Sequence, residues 1–224
     1  MGKCYQVSKE RSCYQDLLPL LASCAGIYAA VQVRLNRQFS SNHSDGFVIS
    51  CKHLDSRVVL PLHGPIEDAL ANHHPDGIGI GVLPSRATPP KPDDFMTPGF
   101  KTLFDTLVQP YLTNQFERHR IAMFKKHGGD RTKLPDAWQM AWAVRNGLSH
   151  NGRVHFEVHK KAKKDPEPVH WRGLTISIAH QGQPILGNFL NIGDLIALSL
   201  DMEEAISGAL PWVEMDDQPT KPAV

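Results

Sequence analysis

The chain has 224 residues, which is enough for one domain with a substantial hydrophobic core. Its 24 lysine and arginine residues nearly balance its 23 aspartate and glutamate residues. This balance excludes a protein that coats nucleic acid through an overall basic excess, so any contact with nucleic acid has to come from a local patch.

The cysteines and the hydropathy pattern predict a cytoplasmic protein. The four cysteines form no CxxC pair and no disulfide-like framework, and Cys13 and Cys24 are expected to behave as small hydrophobic residues on or near an apolar helix. Residues 1–15 are polar and lack an apolar signal region. The most apolar window, 17–33, is short for a membrane span and favours a buried helix, so we expect no membrane association.

The first part of the chain predicts one helix followed by an irregular insertion. Apolar residues at helical spacing predict a helix over 14–38, in which Pro19 falls within the first turns. We expect the insertion to cover 39–99, with 47–49 and 58–60 as short strands or buried turns.

Proline and glycine dominate 73–99, after a possible short helix at 64–72, and they predict an irregular excursion over the surface. The GIGIG segment at 77–81 is only superficially like a dinucleotide-binding loop. It follows no convincing strand and leads into proline instead of a helix, so we exclude a dinucleotide site there.

Three further helices are predicted in the second part of the chain. One covers 100–126 with a kink at Pro110, and the next begins near 134, with Pro135 in its first turn, and ends at 150. The last covers 191–210, where apolar residues again recur at helical spacing.

A β-hairpin insertion, 153–186, is predicted between the last two helices. Its segments 153–158 and 169–180 alternate like two strands and are joined by the charged loop 159–168. After the last helix, the acidic, proline-containing tail 211–224 is predicted to be flexible.

Polar side chains cluster where the third helix ends, around a glycine that weakens helices. Asn146 and His150 share one face of a regular helix, as do Arg145 and Ser149, whereas Arg145 and His150 lie about 140° apart around the axis. One chain therefore does not obviously direct both at one phosphate. A two-fold dimer could do so by bringing two such helix ends together.

The chemistry of the cluster suits a phosphodiester. Arg145 offers a planar, permanently charged fork for phosphate oxygens, and His150 can take a proton from a ribose 2′-hydroxyl or give one to the leaving 5′-oxygen. Asn146 could orient the imidazole or the substrate. No cofactor and no metal is required.

Arg145, Asn146 and His150, in "RNGLSH" at the end of a helix, resemble the motif of the HEPN superfamily: Arg, a polar residue, and His a few positions later. The resemblance implies a mainly α fold, a HEPN-like four-helix up-and-down bundle. Here it would form a single domain over 1–210, with the small β-hairpin inserted between the third and fourth helices.

The resemblance also implies a function. HEPN proteins are typically metal-independent endoribonucleases of toxin–antitoxin and phage-defence systems, and they leave 2′,3′-cyclic phosphate ends. They build a composite active site in a homodimer, which here would use Arg145, Asn146 and His150 as catalytic residues on an RNA substrate, with a possible antitoxin or defence partner. The subgroup paired with nucleotidyltransferase antitoxins carries Tyr two positions after the His, where this chain has Gly152.

Further residues near the motif are candidates for binding RNA phosphates or ribose. A flexible basic loop close in sequence to His150 could collect phosphates, although such a run is also typical of a solvated loop. The candidates are Ser149, Asn151, Arg153, Lys160, Lys161, Lys163 and Lys164.

Plainer interpretations of the cluster stay open. Arg145 and His150 could simply satisfy the last carbonyls of the helix, and Asn146 could face solvent. The alternative function is a non-catalytic HEPN-like dimeric module that binds RNA or a protein, and a purely structural dimer is a third class.

The twelve histidines do not predict a metal site. His155 and His159 would share a strand face but lie about 13 Å apart, too far for one ion. Other histidines show no ligand spacing.

Overall fold

The computed structural model contains both helices and antiparallel sheets in the part of the chain that it describes. This part consists of residues 3–34, 46–61, 68, 71, 73, 75–84, 98–157, 165–208 and 212–214. In chain order the elements are β1 (Lys3–Ser8), α1 (Tyr14–Arg34), β2 (Gly46–Ser50), β3 (Ser56–Pro61), β4 (Gly77–Pro84), α2 (Pro98–Lys126), α3 (Asp136–Ser149), β5 (Val169–Trp171), β6 (Leu174–Ile176), α4 (Ile192–Ser207) and β7 (Trp212–Glu214).

The four predicted helices occur close to their predicted positions. α1 begins at the predicted residue, and α2, α3 and α4 differ from their predicted limits by three residues or fewer. α2 continues through Pro110. Periodic burial explains this agreement, since each helix directs an apolar stripe at one common core.

The main sheet has five antiparallel strands in the order β2-β3-β4-β1-β7. Val7 of β1 is paired with Ile78 of β4, and both side chains are fully buried. Val58 and Leu60 of β3 are buried with them, so one face of the sheet joins the same core as the helices.

This sheet corrects the predicted fold class. A mainly α, HEPN-like four-helix up-and-down bundle is wrong for this chain, because the helices pack against a sheet and the fold is mixed α and β. Within the insertion predicted over 39–99, the short strands considered at 47–49 and 58–60 are present as parts of 46–50 and 56–61, whereas 77–84, predicted as a surface excursion, is also a strand.

The glycines of GIGIG explain the error. The composition of this segment predicts a surface loop, but Ile78 and Ile80 alternate with the glycines and are buried. A Cβ on Gly77 would lie 2.9 Å from the Gln6 side chain, and one on Gly81 would lie 3.1 Å from Val59 Cβ. Glycine there lets neighbouring strands approach closely.

The predicted hairpin over 153–186 is much shorter than expected. Among the described residues of this segment, β5 and β6 are the only strands that pair, around a tight turn in which Arg172 and Gly173 both have positive φ. Residues 153–157 form no strand, and Arg153 makes only an isolated bridge to Pro184. Non-local contacts with the end of α3, described below, hold this segment instead.

The tail and two other predictions fall partly outside the described residues. Three residues of the predicted flexible tail, Trp212–Glu214, form β7 on the edge of the sheet beside β1. The rest of that tail, most of the possible helix at 64–72, and 85–97 lie outside the described part of the chain. None of the helices described is both long and apolar enough to cross a membrane.

The two cysteines assigned to a helix are buried, as expected. Cys13 precedes α1, and Cys24 lies within it. Burial raises the pKa of each thiol to about 12. They therefore act as small hydrophobic residues and not as reactive thiols.

A fully buried carboxylate at the start of α4 fastens the sheet to the helices. Asp194 accepts hydrogen bonds from the backbone N–H groups of Lys52 at 2.6 Å, His53 at 3.2 Å and Leu54 at 3.0 Å. It also accepts one from Asn191 at 2.8 Å, which caps its own helix. The loop after β2 is thus held by one side chain.

A second buried carboxylate, near the other end of α4, fastens the start of α1. Glu203 accepts from the backbone N–H groups of Ser12 at 3.3 Å and Cys13 at 3.2 Å. Arg118 of α2 joins the same helix start through a two-pronged ion pair with Asp16, at 2.8 and 2.9 Å. α4 therefore fixes the relative placement of α1 and the sheet.

Removing the first carboxylate should strongly destabilise the fold. We expect Asp194→Ala to lower the free energy of unfolding by about 3 kcal/mol or more, because it leaves several buried N–H groups without an acceptor. Urea unfolding followed by circular dichroism measures this. Glu204→Ala, an exposed change on the same helix, is the control. An equal midpoint for both variants would contradict the role assigned to Asp194.

Candidate functional site

The end of α3 is a sharp reversal of the chain. His150 follows the last helical residue, and its backbone N–H donates to the carbonyls of Asn146 at 3.1 Å and Gly147 at 2.9 Å. Asn151 and Gly152 then both adopt positive φ, at 59° and 71°. This left-handed pair ends the helix as the Asn-Gly dipeptide predicts.

Gly147 is explained by close packing on α3. A Cβ at this position would lie 2.0 Å from Ile185 Cδ1 and 2.8 Å from the carbonyl oxygen of Arg153. The missing side chain thus lets the returning segment pack directly against the helix. The helix end and the chain that follows it are therefore in direct contact.

Arg145 points from α3 toward α2. Its Nη2 lies 2.7 Å from Glu117 Oε1, and its Nη1 donates to Asn146 Oδ1 at 3.3 Å. Glu117 also pairs with Arg120 Nε at 3.2 Å. The carboxylate of Glu117 thus pairs with two guanidinium groups, so the three side chains together carry a net positive charge.

A groove of about 380 Å³ runs beside these charges, between α2 and α3. Ile121 on its rim is 75% exposed, which is unusual for a large apolar side chain in this structure. Arg131 lies over the ring of Trp142, 4.5 Å from its centroid, and burial lowers the pKa of that guanidinium. The groove is lined by Phe116, Arg120, Ile121, Phe124, Trp142, Arg145 and Asn146.

His150 has a different neighbour from Arg145. Its exposed ring stacks on His155, with centroids 3.6 Å apart and planes 21° apart. The helix end therefore holds both predicted catalytic groups but directs them at different surroundings, in line with their separation around the axis. The side-chain oxygen of Asn146 accepts from Arg145, and its backbone carbonyl accepts from the His150 N–H, so a role for Asn146 in orienting the imidazole or the substrate stays a prediction.

The predicted substrate-binding residues have mixed placements. Ser149 is exposed, and its hydroxyl donates to the Arg145 carbonyl at 3.1 Å within the helix. Asn151 is exposed in the turn, and Arg153 Nη1 donates to the Gly182 carbonyl at 2.7 Å. Outside the described residues lie Lys160, Lys161, Lys163 and Lys164.

Two partners of the site were missed from the sequence. Glu117 belongs to the predicted second helix, but its spacing from Arg120 predicts only a surface ion pair. His155 was considered only as a metal ligand. No local signal shows that either approaches the end of α3, since both contacts are made across the fold.

His155 is also the residue considered above as a metal ligand. His155 stacks on His150, and the partner considered for it, His159, lies outside the described residues. Across the ranges that the structure describes, no three His, Cys, Asp or Glu side chains are grouped to hold an ion.

Comparison of the chain with protein-family models, curated proteins and solved structures finds no match. The resemblance to the HEPN superfamily therefore rests on Arg145, Asn146 and His150 alone. Any function has to be argued from the side chains of the site.

The close packing at Gly147 can be tested by adding one methyl group. We expect Gly147→Ala to lower the free energy of unfolding by about 1–3 kcal/mol, because a backbone carbonyl as well as Ile185 has to move. Thermal or urea unfolding measures the change.

Gly26→Ala is the matched control for this variant. Gly26 lies in α1 with no atom within 4 Å of the added Cβ, so alanine there should be neutral or stabilise by up to about 1 kcal/mol. A Gly147→Ala protein as stable as the wild type would show that the segment after α3 is not packed as described.

Proposed function

We propose that the chain is a metal-independent endoribonuclease of the HEPN type that leaves 2′,3′-cyclic phosphate ends. The observation that carries the proposal is an exposed imidazole, His150, on the same helix end as a partly exposed guanidinium, Arg145, beside a groove. An imidazole can transfer the protons of RNA transesterification, and a guanidinium can stabilise the charge that develops on the phosphate.

The proposed reaction moves two protons and exchanges one bond. The ribose 2′-oxygen attacks phosphorus and loses its proton to a base, the bond from phosphorus to the 5′-oxygen breaks, and that oxygen takes a proton from an acid; His150 and a water molecule fill these two roles. His150 serves as the base or the acid. Among the described residues none forms a hydrogen bond or ion pair with its ring, so both nitrogens are open to substrate.

Arg145 is proposed to stabilise the charge on the phosphate oxygens. Glu117 and Asn146 each take one contact from a terminal nitrogen, which fixes the plane of the guanidinium and leaves other N–H groups for a substrate. The side chain is 33% exposed, so a phosphate can approach it.

We infer that one complete site combines two copies of the chain. Arg145 lies against α2, whereas His150 lies against His155, so the two groups do not converge within one chain. The exposed Ile121 and the apolar groove beside Arg145 offer a surface that a second copy would cover. The proposed assembly is thus a homodimer.

The proposal includes a cellular setting. RNA is the substrate, and a toxin–antitoxin or phage-defence system in the cytoplasm is the proposed context, with an antitoxin or defence protein as a further partner. The basic stretch Lys160, Lys161, Lys163 and Lys164 is proposed to add phosphate contacts.

One observation favours a second candidate, a non-catalytic dimeric module that binds RNA or a protein. The ion pair with Glu117 neutralises part of the charge of Arg145 within the chain. Such a module would bind through the same groove without cleaving, and its binding would survive substitution of Arg145 and His150.

Cleavage without a metal is the direct test. Pure protein is incubated with total tRNA and mRNA in EDTA, and the product ends are analysed. We expect the wild type to produce cyclic phosphates and His150→Ala to reduce the rate by about 1,000-fold, as loss of a general acid or base does. The exposed position of His150 should leave the folded structure intact.

His170→Ala is the control, because His170 is also exposed but lies on β5. It should cleave like the wild type. Undiminished cleavage by His150→Ala would overturn the assignment, and RNA binding without cleavage by the wild type would favour the second candidate.

A further inference from the structure

His155 lies face to face with the proposed catalytic imidazole. The 3.6 Å between ring centroids and the 21° between planes describe a parallel stack. The two residues belong to different parts of the chain, since one caps α3 and the other follows the turn at Gly152. The contact therefore depends on how the returning segment is fixed.

The backbone on either side of His155 is held firmly. Val154 donates to the carbonyl of Gln183 at 2.8 Å and accepts from Gly182 at 2.9 Å. Val154 and Phe156 are both buried, so the residue between them is directed outward. The packing of Val154 and Phe156 in the core therefore determines where the His155 ring lies.

Gln181 fixes the proton on the His155 ring. The backbone N–H of Phe156 donates to Gln181 Oε1 at 2.9 Å, which orients the amide so that its Nε2 faces His155 Nδ1 at 3.4 Å. An amide nitrogen only donates, so Nδ1 has to accept and the ring proton lies on Nε2.

We propose that His155 is a positioning residue that holds the ring of His150 by stacking, and that Gln181 selects the Nε2–H tautomer of this supporting ring. The inference rests on the ribonuclease function proposed above. A free side chain after a helix end samples several rotamers, and the stack selects one of them.

Two substitutions distinguish the effect of the stacking face of His155 from the effect of its ring nitrogens. On a fluorescein-labelled single-stranded RNA in EDTA, we expect His155→Ala to lower kcat by about 10- to 100-fold with KM unchanged, because the imidazole loses its orientation. His155→Phe keeps the stacking face, and we expect its kcat to stay within about threefold of the wild type. Equal losses in both variants, or a loss in neither, would overturn the inference while leaving the ribonuclease proposal intact.

A measurement without RNA tests the stack itself. In ¹⁵N imidazole NMR spectra we expect the Nε2–H tautomer for His155. We also expect a ring-current shift on His150 that His155→Ala removes, that His155→Phe keeps, and that the control His170→Ala leaves unchanged. An Nδ1–H tautomer, or an unchanged His150 signal in His155→Ala, would refute the inference.

The two proposals fail in different ways. If the wild type cleaves no RNA, the ribonuclease function and the catalytic meaning of the stack are both overturned, whatever the NMR spectra show. If the wild type cleaves and the kinetic or NMR expectation for His155 fails, only the positioning role is lost.

Discussion

Two carboxylates buried on one helix determine how the rest of the fold is arranged. Asp194 and Glu203, near opposite ends of α4, accept hydrogen bonds from backbone N–H groups of the loop after β2 and of the start of α1. Trp138, near the start of α3, is fully buried and donates to the Met202 carbonyl at 3.1 Å. α4 therefore contacts the sheet, α1 and α3, and holds the helix that carries the candidate site against the core.

The helices could be predicted from the sequence, but of the five-stranded sheet only two strands, at 47–49 and 58–60, were considered, and their pairing was not predicted. Helical periodicity is local, so four amphipathic stretches are visible without knowing what they pack against. The strands depend on partners far along the chain, since β1 pairs with both β4 and β7. In β4 the decisive residues, Gly77 and Gly81, are loop formers by composition and strand residues only because Gln6 and Val59 lie against them.

The residues of the candidate site could likewise be predicted only in part. Arg145 and His150 were found from a short motif whose chemistry is carried by the residues themselves. Their neighbours Glu117 and His155 could not be found, because one contact crosses between helices and the other depends on the packing at Gly147. Spacing around the helix did predict that the guanidinium and the imidazole would diverge, and this divergence is the reason for proposing a site shared by two chains.

The measurement that tests this shared site most directly is complementation between two inactive variants. Arg145→Ala and His150→Ala proteins are mixed, unfolded and refolded together, and RNA cleavage is compared with each variant alone. If each site takes its arginine from one chain and its histidine from the other, mixed dimers regain one intact site and the mixture should reach about a quarter of wild-type activity. A mixture as inactive as its components, when refolded wild type is active, would contradict a composite site.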